Sequence, residues 1–242
     1  SQLVYFAPQT LPIGGEYVSN VDTAGSITLV LQAAIPPLIF AEKPSSISVT
    51  GGTDVDWSPS VNHTNWVLYH YLDWMGIKLD MDTDKRGFYP RGKGHTTVKV
   101  PQPVPLGKTL KPLQLLDPGR VVKIEGVAHV SSASRKSAAE GLTNSMPHLI
   151  GKELEYMAKL LGRNVVVQCE LDIDIEVSTQ IFESPDEFCG FEFYVYTEHD
   201  CILSANCIVP LKDFKHVAEP AFLDKYEEAV QETVKRLCED VA

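Results

Sequence analysis

Residues 46–59 read SISVTGGTDVDWSP, and this stretch decides the fold prediction because it runs from a strand into a loop suited to binding. The first five residues alternate polar and apolar side chains, which predicts a half-buried strand. Two glycines end the strand, and the loop from Asp54 to Pro59 follows where binding residues often lie. A second stretch, residues 85–94, reads KRGFYPRGKG. Arginine holds phosphate through two hydrogen bonds and glycine lets a backbone approach an anion, so this loop predicts a phosphate contact, with a basic hairpin as the alternative.

The first half of the chain is predicted to fold as β-β-α-β-α-β-β-β around that strand. A buried helix is predicted over residues 24–36, with Thr23 or Ser26 as its N-cap. A second helix is predicted across residues 66–74, with Asn62 as its cap. Helices separated by groups of strands indicate an α/β or α+β sandwich of repeated small units. The strands of this half are predicted at residues 1–7, 17–21, 46–50, 77–81, 96–100 and 121–130.

The second half of the chain has a different pattern, and we place a domain boundary near residues 131–134. A helix with an amphipathic stripe is predicted over residues 134–158. The most regular alternation of the chain follows at residues 167–177 and predicts a strand. This half is therefore predicted to be a compact α+β unit, which is completed by strands at residues 191–195 and 202–205 and a helix at residues 224–241.

Composition excludes several classes of protein. The chain has 242 residues, of which 44% are hydrophobic, and no apolar run approaches the roughly 20 residues that a membrane helix needs. The five cysteines are an odd number and form no CxxC pair, which argues against a disulfide or zinc framework and favours a reducing compartment. No secretory signal is visible, so we expect an intracellular protein, nuclear in a eukaryote and cytoplasmic otherwise.

The charge is unevenly spread along the chain. The net charge is −11, which argues against a general nucleic-acid coat protein, yet residues 81–125 hold nine basic and only four acidic side chains. A local cationic patch on an acidic protein indicates contact with a small or end-specific polyanion, with a solvated basic edge as the alternative. The basic side chains of this island are Lys85, Arg86, Arg91, Lys93, Lys99, Lys108, Lys111, Arg120 and Lys123.

A few polar residues are candidates for a binding role. Gln32 lies in an apolar helix, where its amide is either a satisfied core group or a ligand for a nucleotide or terminal ribose. Asp54 and Asp56 are two apart and could hold a metal, although a solvated turn is the favoured interpretation. None of the seven histidines stands in a nucleophile motif, so we assign no catalytic residue and no metal ligand.

Three motifs in this order resemble the RNA 3′-terminal phosphate cyclase family. They are the segments from Thr23 to Gln32, from Gly51 to Asn62 and from Arg86 to Gly94. The resemblance implies repeated βαβαββ-type units, as in the enolpyruvyl transferases, with an inserted small α+β domain. It divides the chain into a partial main domain (1–132), the inserted domain (133–218) and a helix that returns to the main domain (219–242).

The resemblance also implies a chemistry, a site and partners. Family members convert an RNA 3′-phosphate to a 2′,3′-cyclic phosphate with ATP, through a histidine–AMP intermediate. The implied cofactors are ATP and a divalent metal, Mg²⁺, and the implied partner is an RNA 3′-phosphate end; no oligomeric state is implied. By motif, Gln32 would lie in the nucleotide site and Pro59 would pack against adenine. Arg86, Arg91 and Lys93 are the candidates for contacts with RNA phosphates.

The chain also departs from the family pattern. Neither His199 nor His216 matches the context of the family's nucleophile, and the basic loop has Gly92-Lys93-Gly94 where the family prefers three glycines. We therefore expect a piece of a cyclase or a divergent relative that does not adenylylate itself alone. The alternatives are a non-catalytic cyclase-like protein that binds RNA or a ribosome-assembly partner, and an enolpyruvyl-transferase-like domain of other function.

Overall fold

A four-stranded sheet is built on the alternating strand that the sequence predicts at residues 46–50. In the computed structural model this strand is β2, Ser45–Gly51, and the apolar side chains of Ile47 and Val49 are buried. The strand order is β1-β2-β4-β3. β1 pairs with β2 in parallel, while β4 pairs with both β2 and β3 in antiparallel fashion. The other strands are β1 (Glu16–Asn20), β3 (Asp80–Lys85) and β4 (Gly94–Val100).

The structure describes most of the chain, and structural statements below refer to those residues. They are residues 3, 5, 7–10, 12–132, 152, 155, 156, 158–160, 163, 173–184, 188–210 and 220–241. The strand predicted at residues 1–7 is not formed at the described residues 3, 5 and 7, and its other residues lie outside the described part. Most of the helix predicted at 134–158 and most of the strand predicted at 167–177 lie outside it too.

Helix α1, Ile27–Ile39, covers one face of this sheet. Of the two predicted N-caps, Ser26 takes the role, since its hydroxyl accepts a hydrogen bond from the amide of Leu29 at 3.3 Å. The buried face of the helix includes Leu31 and Ile35, which join the core cluster around β2 and β4. The opposite face is exposed and carries Gln32.

A second helical stretch follows β2 and precedes β3. It begins as α2 (Val61–His63), passes through a π-helical turn (Thr64–Leu68) and ends as α3 (Tyr69–Trp74). Ser60 is the N-cap, because its hydroxyl accepts a hydrogen bond from the His63 amide at 2.9 Å. The prediction that Asn62 caps this helix is therefore wrong.

The two helical stretches and four strands alternate in one βαβαββ unit. β3 begins three residues later than predicted, because the segment before it closes the helix: the Ile77 amide bonds the Leu72 carbonyl at 2.9 Å and the Ile77 side chain is buried. The predicted mixed α/β fold class, with units of this order, is confirmed.

The second sheet contains all the later described strands. Its order is β6-β5-β7-β8, with β5 parallel to β6 and the other pairs antiparallel. The predicted boundary between residues 132 and 133 assigns β5 to the first domain, whereas β5 pairs with strands of the second sheet, so that sheet begins at Val121. The strands are β5 (Val121–Ser132), β6 (Ile175–Glu183), β7 (Phe188–Thr197) and β8 (Ile202–Pro210).

The last helix, α4 (Pro220–Val241), covers one face of the second sheet. Its Tyr226 ring meets the Phe191 ring edge-on at 5.5 Å, and Val230 lies in the same core cluster. The helix was predicted to return to the main domain; in the structure its buried side chains pack on the sheet that carries Phe191.

The other face of the second sheet packs on the α2–α3 helical stretch. Trp66 and Val67 belong to a cluster with Tyr194 and Ile202 of the sheet. Tyr71 adds a polar contact, because its hydroxyl donates to the carbonyl of Ile202 at 3.0 Å. This stretch is therefore held between the two sheets, and the residues at its beginning reach both of them.

Two further properties concern the described residues alone. No helix among them has the length and apolar character that crossing a membrane requires. Of the cysteines whose side chains the structure describes, Cys189, Cys201 and Cys207 are free thiols.

Candidate functional site

The three sequence motifs meet at one backbone junction. The amide of Gly52 donates to the carbonyl of Gly25 at 2.9 Å, and the amide of Ile27 donates to the carbonyl of Gly52 at the same distance. The amide of Thr53 then donates to the carbonyl of Gly87 at 2.8 Å. The start of α1, the end of β2 and the cationic loop are therefore joined by main-chain hydrogen bonds, which fix the roots of both loops relative to each other.

The glycines let these backbones approach so closely. A Cβ on Gly87 would lie 2.1 Å from the nitrogen of Gly94 and 2.7 Å from the oxygen of Gly51. A Cβ on Gly92 would lie 2.7 Å from the oxygen of Thr23, and the φ of Gly92 is +68°. All of these neighbours are backbone atoms, so they cannot move aside independently.

We expect Gly87→Ala to lower the free energy of unfolding by about 3 kcal/mol, since the added methyl overlaps main-chain atoms of two strands. Urea denaturation measures the loss. Gly107→Ala is the matched control, because Gly107 has a φ of +81° but open space around it, and it should cost only about 1 kcal/mol. Equal losses in the two variants would contradict the steric explanation.

The loop from Asp54 to Pro59 is anchored at both ends. The amide of Val61 donates to the carbonyl of Thr53 at 3.2 Å and closes the base of the loop. The hydroxyl of Thr28 donates to the carbonyl of Pro59 at 2.8 Å and ties the loop to the first turn of α1. The half-buried proline is therefore held against the start of a helix.

Gln32 lies on the same side of α1 as this anchor. It is four residues after Thr28, a spacing that places side chains next to each other on a helix. Its side chain is exposed, so the alternative of a core amide is wrong. Thr28 thus connects the two residues predicted for nucleotide binding, since it bonds to Pro59 and lies one helical turn before Gln32. Both residues are at least partly exposed to solvent.

The cationic loop presents some of its side chains to solvent and buries others. Tyr89, Arg91 and Lys93 are exposed. Phe88 is buried, and its ring stacks on the ring of Phe188 with centroids 3.7 Å apart. The tip of the loop is therefore exposed, while its first part packs on the second sheet.

Arg86 lies inside the protein. Its guanidinium donates from Nη1 to both carboxylate oxygens of Asp54 at 3.0 and 3.1 Å, and from Nη2 to Oδ1 of Asn62 at 2.5 Å. It also lies over the ring of Phe182, 4.8 Å from the centroid. With 8% of its surface exposed, Arg86 is committed to protein partners, and this geometry argues against the predicted contact with an RNA phosphate.

A second buried charge is linked to Arg86 through Asn62, and it is the carboxylate of Glu192 on β7. Its Oε2 accepts hydrogen bonds from Nδ2 of Asn62 at 2.8 Å and from the hydroxyl of Tyr194 at 2.7 Å, and it lies 3.2 Å from Nε2 of His129. Burial alone would raise the pKa of Glu192, but the interactions with His129, Ser60 and Tyr194 outweigh it and lower the pKa to about 2. The carboxylate is therefore held in its charged form.

Asn62 connects the two charged groups. Its amide oxygen accepts from Arg86 and its amide nitrogen donates to Glu192. His63 adds a neighbouring link, because its Nδ1 lies 2.6 Å from the hydroxyl of Ser204 on β8. Burial lowers the pKa of His63, and the charge of Glu192 opposes that shift. Local sequence pattern does not predict this network, since its members come from segments far apart in the chain.

The described residues offer no ready-made cage of protein ligands for the predicted Mg²⁺ ion. Among them no group of three or more His, Cys, Asp or Glu side chains could hold a metal ion. Of the two carboxylates considered from sequence, Asp54 is occupied by Arg86 and Asp56 is exposed. The predicted metal stays a prediction without support from this geometry.

The basic island is partly neutralised. Arg86 pairs with Asp54, Arg120 pairs with Glu198, and Lys123 contacts Glu125. Exposed cations beside the backbone junction include Arg91 and Lys93 of the loop tip. Three other cations of the island are paired with carboxylates of the protein.

Comparison with known proteins agrees with the arrangement of the three motifs. The family model for RNA 3′-terminal phosphate cyclase matches residues 1–237. The chain belongs to the RNA 3′-terminal phosphate cyclase family. The resemblance inferred from the motifs is therefore confirmed, and it extends over both sheets of this cyclase-family chain.

Similar curated proteins carry the same name. The RNA 3′-terminal phosphate cyclase of Hyperthermus butylicus is 37% identical over 164 residues, which is 64% of this cyclase-family chain and 45% of the relative. That of Pyrobaculum aerophilum is 39% identical over 177 residues, covering 73% of the chain and 45% of the relative. That of Drosophila melanogaster is 40% identical over 129 residues, covering 53% and 34%. The chain thus spans less than half the length of these relatives.

Proposed function

We propose that this chain forms one wall of the nucleotide and RNA-end site of an RNA 3′-terminal phosphate cyclase. The observation that carries the proposal is the junction where the three motifs meet. It sets the exposed Gln32 and the half-buried Pro59 on one side of α1. It also joins their loop to the loop that exposes Arg91 and Lys93.

Each element has a role in this proposal. An amide such as that of Gln32 can donate to a phosphate or ribose oxygen and accept from a hydroxyl. Pro59 offers a flat apolar surface to the adenine of ATP. Arg91 and Lys93 supply positive charge for phosphate groups of the RNA. Arg86 takes no contact with substrate; it positions the loops from inside.

The proposed reaction is ATP-dependent ring closure at an RNA end. The AMP moiety of ATP is transferred to an oxygen of the RNA 3′-phosphate with release of pyrophosphate. The vicinal 2′-hydroxyl then attacks the phosphorus and loses its proton, and AMP leaves as the 2′,3′-cyclic phosphate forms. Adenylylation supplies a good leaving group, and the attack is intramolecular, so little entropy is lost at that step. In the family AMP is first carried by a histidine, and we assign that role to no residue of the described part.

Two measurements on the 242-residue chain test the proposal: calorimetric titration with ATP, and incubation of a labelled RNA 3′-phosphate with ATP and Mg²⁺ followed by phosphatase. We expect ATP to bind, and Gln32→Ala to weaken binding about tenfold, because a hydrogen bond to a charged group is lost. Gln231→Ala, which changes an exposed glutamine of α4, is the matched control and should bind like the wild type.

The outcomes separate the candidate functions. Binding of ATP and of the RNA 3′-phosphate without cyclisation is the result expected for one wall of the site with no assigned nucleophile, and a phosphatase-resistant RNA end formed only with ATP supports the complete cyclase. RNA binding without cyclisation and without ATP binding supports the non-catalytic cyclase-like alternative. Failure to bind either ATP or the RNA 3′-phosphate contradicts the proposed site.

A further inference from the structure

Trp57 lies in the Asp54–Pro59 loop with its side chain 100% exposed. Its backbone φ is +61°, in the left-handed region that bulky residues rarely adopt. Both the exposure of a large ring and this backbone conformation cost free energy. A fully exposed ring gains no packing that would offset the cost, and strained residues of this kind concentrate at binding sites.

The ring stands on an anchored loop. Besides the bonds at its two ends, the loop has an internal bond from the hydroxyl of Ser58 to the carbonyl of Val55 at 3.1 Å. These residues flank Trp57 closely, so the bond fixes the turn on which the indole stands. The backbone that carries the ring is therefore held in place two residues before Pro59.

The cationic loop rises from the same root. Thr53 and Gly87 are joined by three hydrogen bonds, two of them through the threonine hydroxyl, at 2.8, 3.0 and 3.1 Å. Trp57 lies four residues beyond Thr53, and Tyr89 lies two residues beyond Gly87 with 68% of its surface exposed. The two loops that carry these exposed aromatic rings are thus joined at Thr53 and Gly87. In the second loop the exposed Arg91 and Lys93 follow shortly after Tyr89.

The chemistry of this surface fits a single-stranded nucleic acid. Aromatic rings stack on bases of any sequence, and cations nearby hold the phosphates between them. A protein partner would need an apolar patch of several hundred Å², whereas the neighbours of Trp57 in the loop are the exposed Asp56 and the polar Ser58. Asp56 would also repel a phosphate, which places a base, not the backbone, against the indole.

We propose that Trp57 is a stacking platform for a base of the RNA strand, with the phosphates of that strand directed toward Arg91 and Lys93. The inference rests on the proposed function and extends it to a contact outside the nucleotide site. The platform recognises a flat base without sequence preference. It contributes to binding of the strand whether or not its end carries a phosphate.

The test uses the 242-residue chain and a 5′-fluorescein hexauridylate, with and without a 3′-phosphate, followed by fluorescence anisotropy. Trp57→Gly removes the ring and also suits a φ of +61°, so this variant should fold at least as stably as the wild type. We expect it to weaken binding of both oligonucleotides about tenfold. Trp57→Phe keeps a ring and should bind within about threefold of the wild type.

Further controls decide what the ring contacts. Tyr156→Ala removes another exposed ring elsewhere, 66% exposed in the wild type, and should leave oligonucleotide binding unchanged. ATP binding should be the same in Trp57→Gly and the wild type.

Unchanged oligonucleotide binding in Trp57→Gly overturns the platform and leaves the cyclase proposal intact. An equal loss of ATP and oligonucleotide binding assigns the ring to the nucleotide and overturns it as well. A wild type that binds no oligonucleotide overturns both.

Discussion

Arg86→Ala is expected to lower the free energy of unfolding by about 3–5 kcal/mol, which is the usual cost of removing one partner of a buried ion pair. The substitution leaves the carboxylate of Asp54, whose side chain is only 7% exposed, without its charged partner. It also leaves Oδ1 of Asn62 without its donor and removes the contact with the Phe182 ring. Chemical denaturation followed by circular dichroism measures the change.

Two companion variants show whether the loss comes from the unpaired buried charge. Arg120→Ala removes an exposed arginine that pairs with Glu198, and it should change stability little because solvent screens that pair. The double variant Asp54→Leu with Arg86→Met removes both buried charges and should recover part of the lost stability. If Arg86→Ala cost no more than Arg120→Ala, the buried pair would not hold the loops together.

Glu192→Ala is expected to cost about 3–5 kcal/mol as well, for a different reason. The carboxylate accepts hydrogen bonds from Asn62 and Tyr194 and contacts His129, and its removal leaves buried polar groups without a partner. The variant also removes one of the polar links between the α2–α3 helical stretch and the second sheet. Denaturation of Glu192→Ala beside Glu228→Ala, a matched exposed glutamate of α4, measures the difference.

The same carboxylate predicts a dependence of stability on pH. The pKa of Glu192 in the folded protein is about 2, below the ordinary value of 4.5 that applies to the unfolded chain. Its stabilising effect is therefore fully present above about pH 4.5 and is lost as the pH falls toward 2. The gap in stability between wild type and Glu192→Gln should narrow over that window. A gap that stays constant down to pH 3 would show that the glutamate is not held in its charged form.

Local pattern was sufficient for most of the elements of the first unit. The alternation at residues 46–50 predicts β2, and the apolar stripe after Ser26 predicts α1, because each pattern reflects one buried face. The exposed position of Gln32 follows from the same stripe, with Leu31 and Ile35 inside. The alternative of a core amide for Gln32 fails because a helix with one buried face leaves its opposite face open to solvent.

Long-range contacts explain what sequence analysis missed. Glu192 alternates with Phe191 and Phe193, so a strand with one dry face would leave it in solvent. It is buried because the α2–α3 stretch covers the other face. Because the stretch packs on this sheet, the side chain of Asn62 bonds to Glu192 of β7 and does not cap the helix. The neighbouring Ser60 caps it instead. The sequence predicts Arg86 as an RNA-phosphate contact, because its partner Asp54 lies 32 residues earlier and local pattern does not show the pair.

The contact between the helical stretch and the second sheet has a consequence for synthesis. The strands of the first sheet lie between residues 16 and 100, so that sheet can form as soon as this part has left the ribosome. The hydrogen bond of Asn62 forms only after Glu192, 130 residues later, has been synthesised. Trp66 likewise packs on Tyr194 only after that part of the chain has been made. In a nascent chain of intermediate length the first sheet is therefore complete, while the apolar side chains of the α2–α3 stretch that later pack on the second sheet are still exposed. During that interval it is most open to aggregation and has the greatest need of a chaperone.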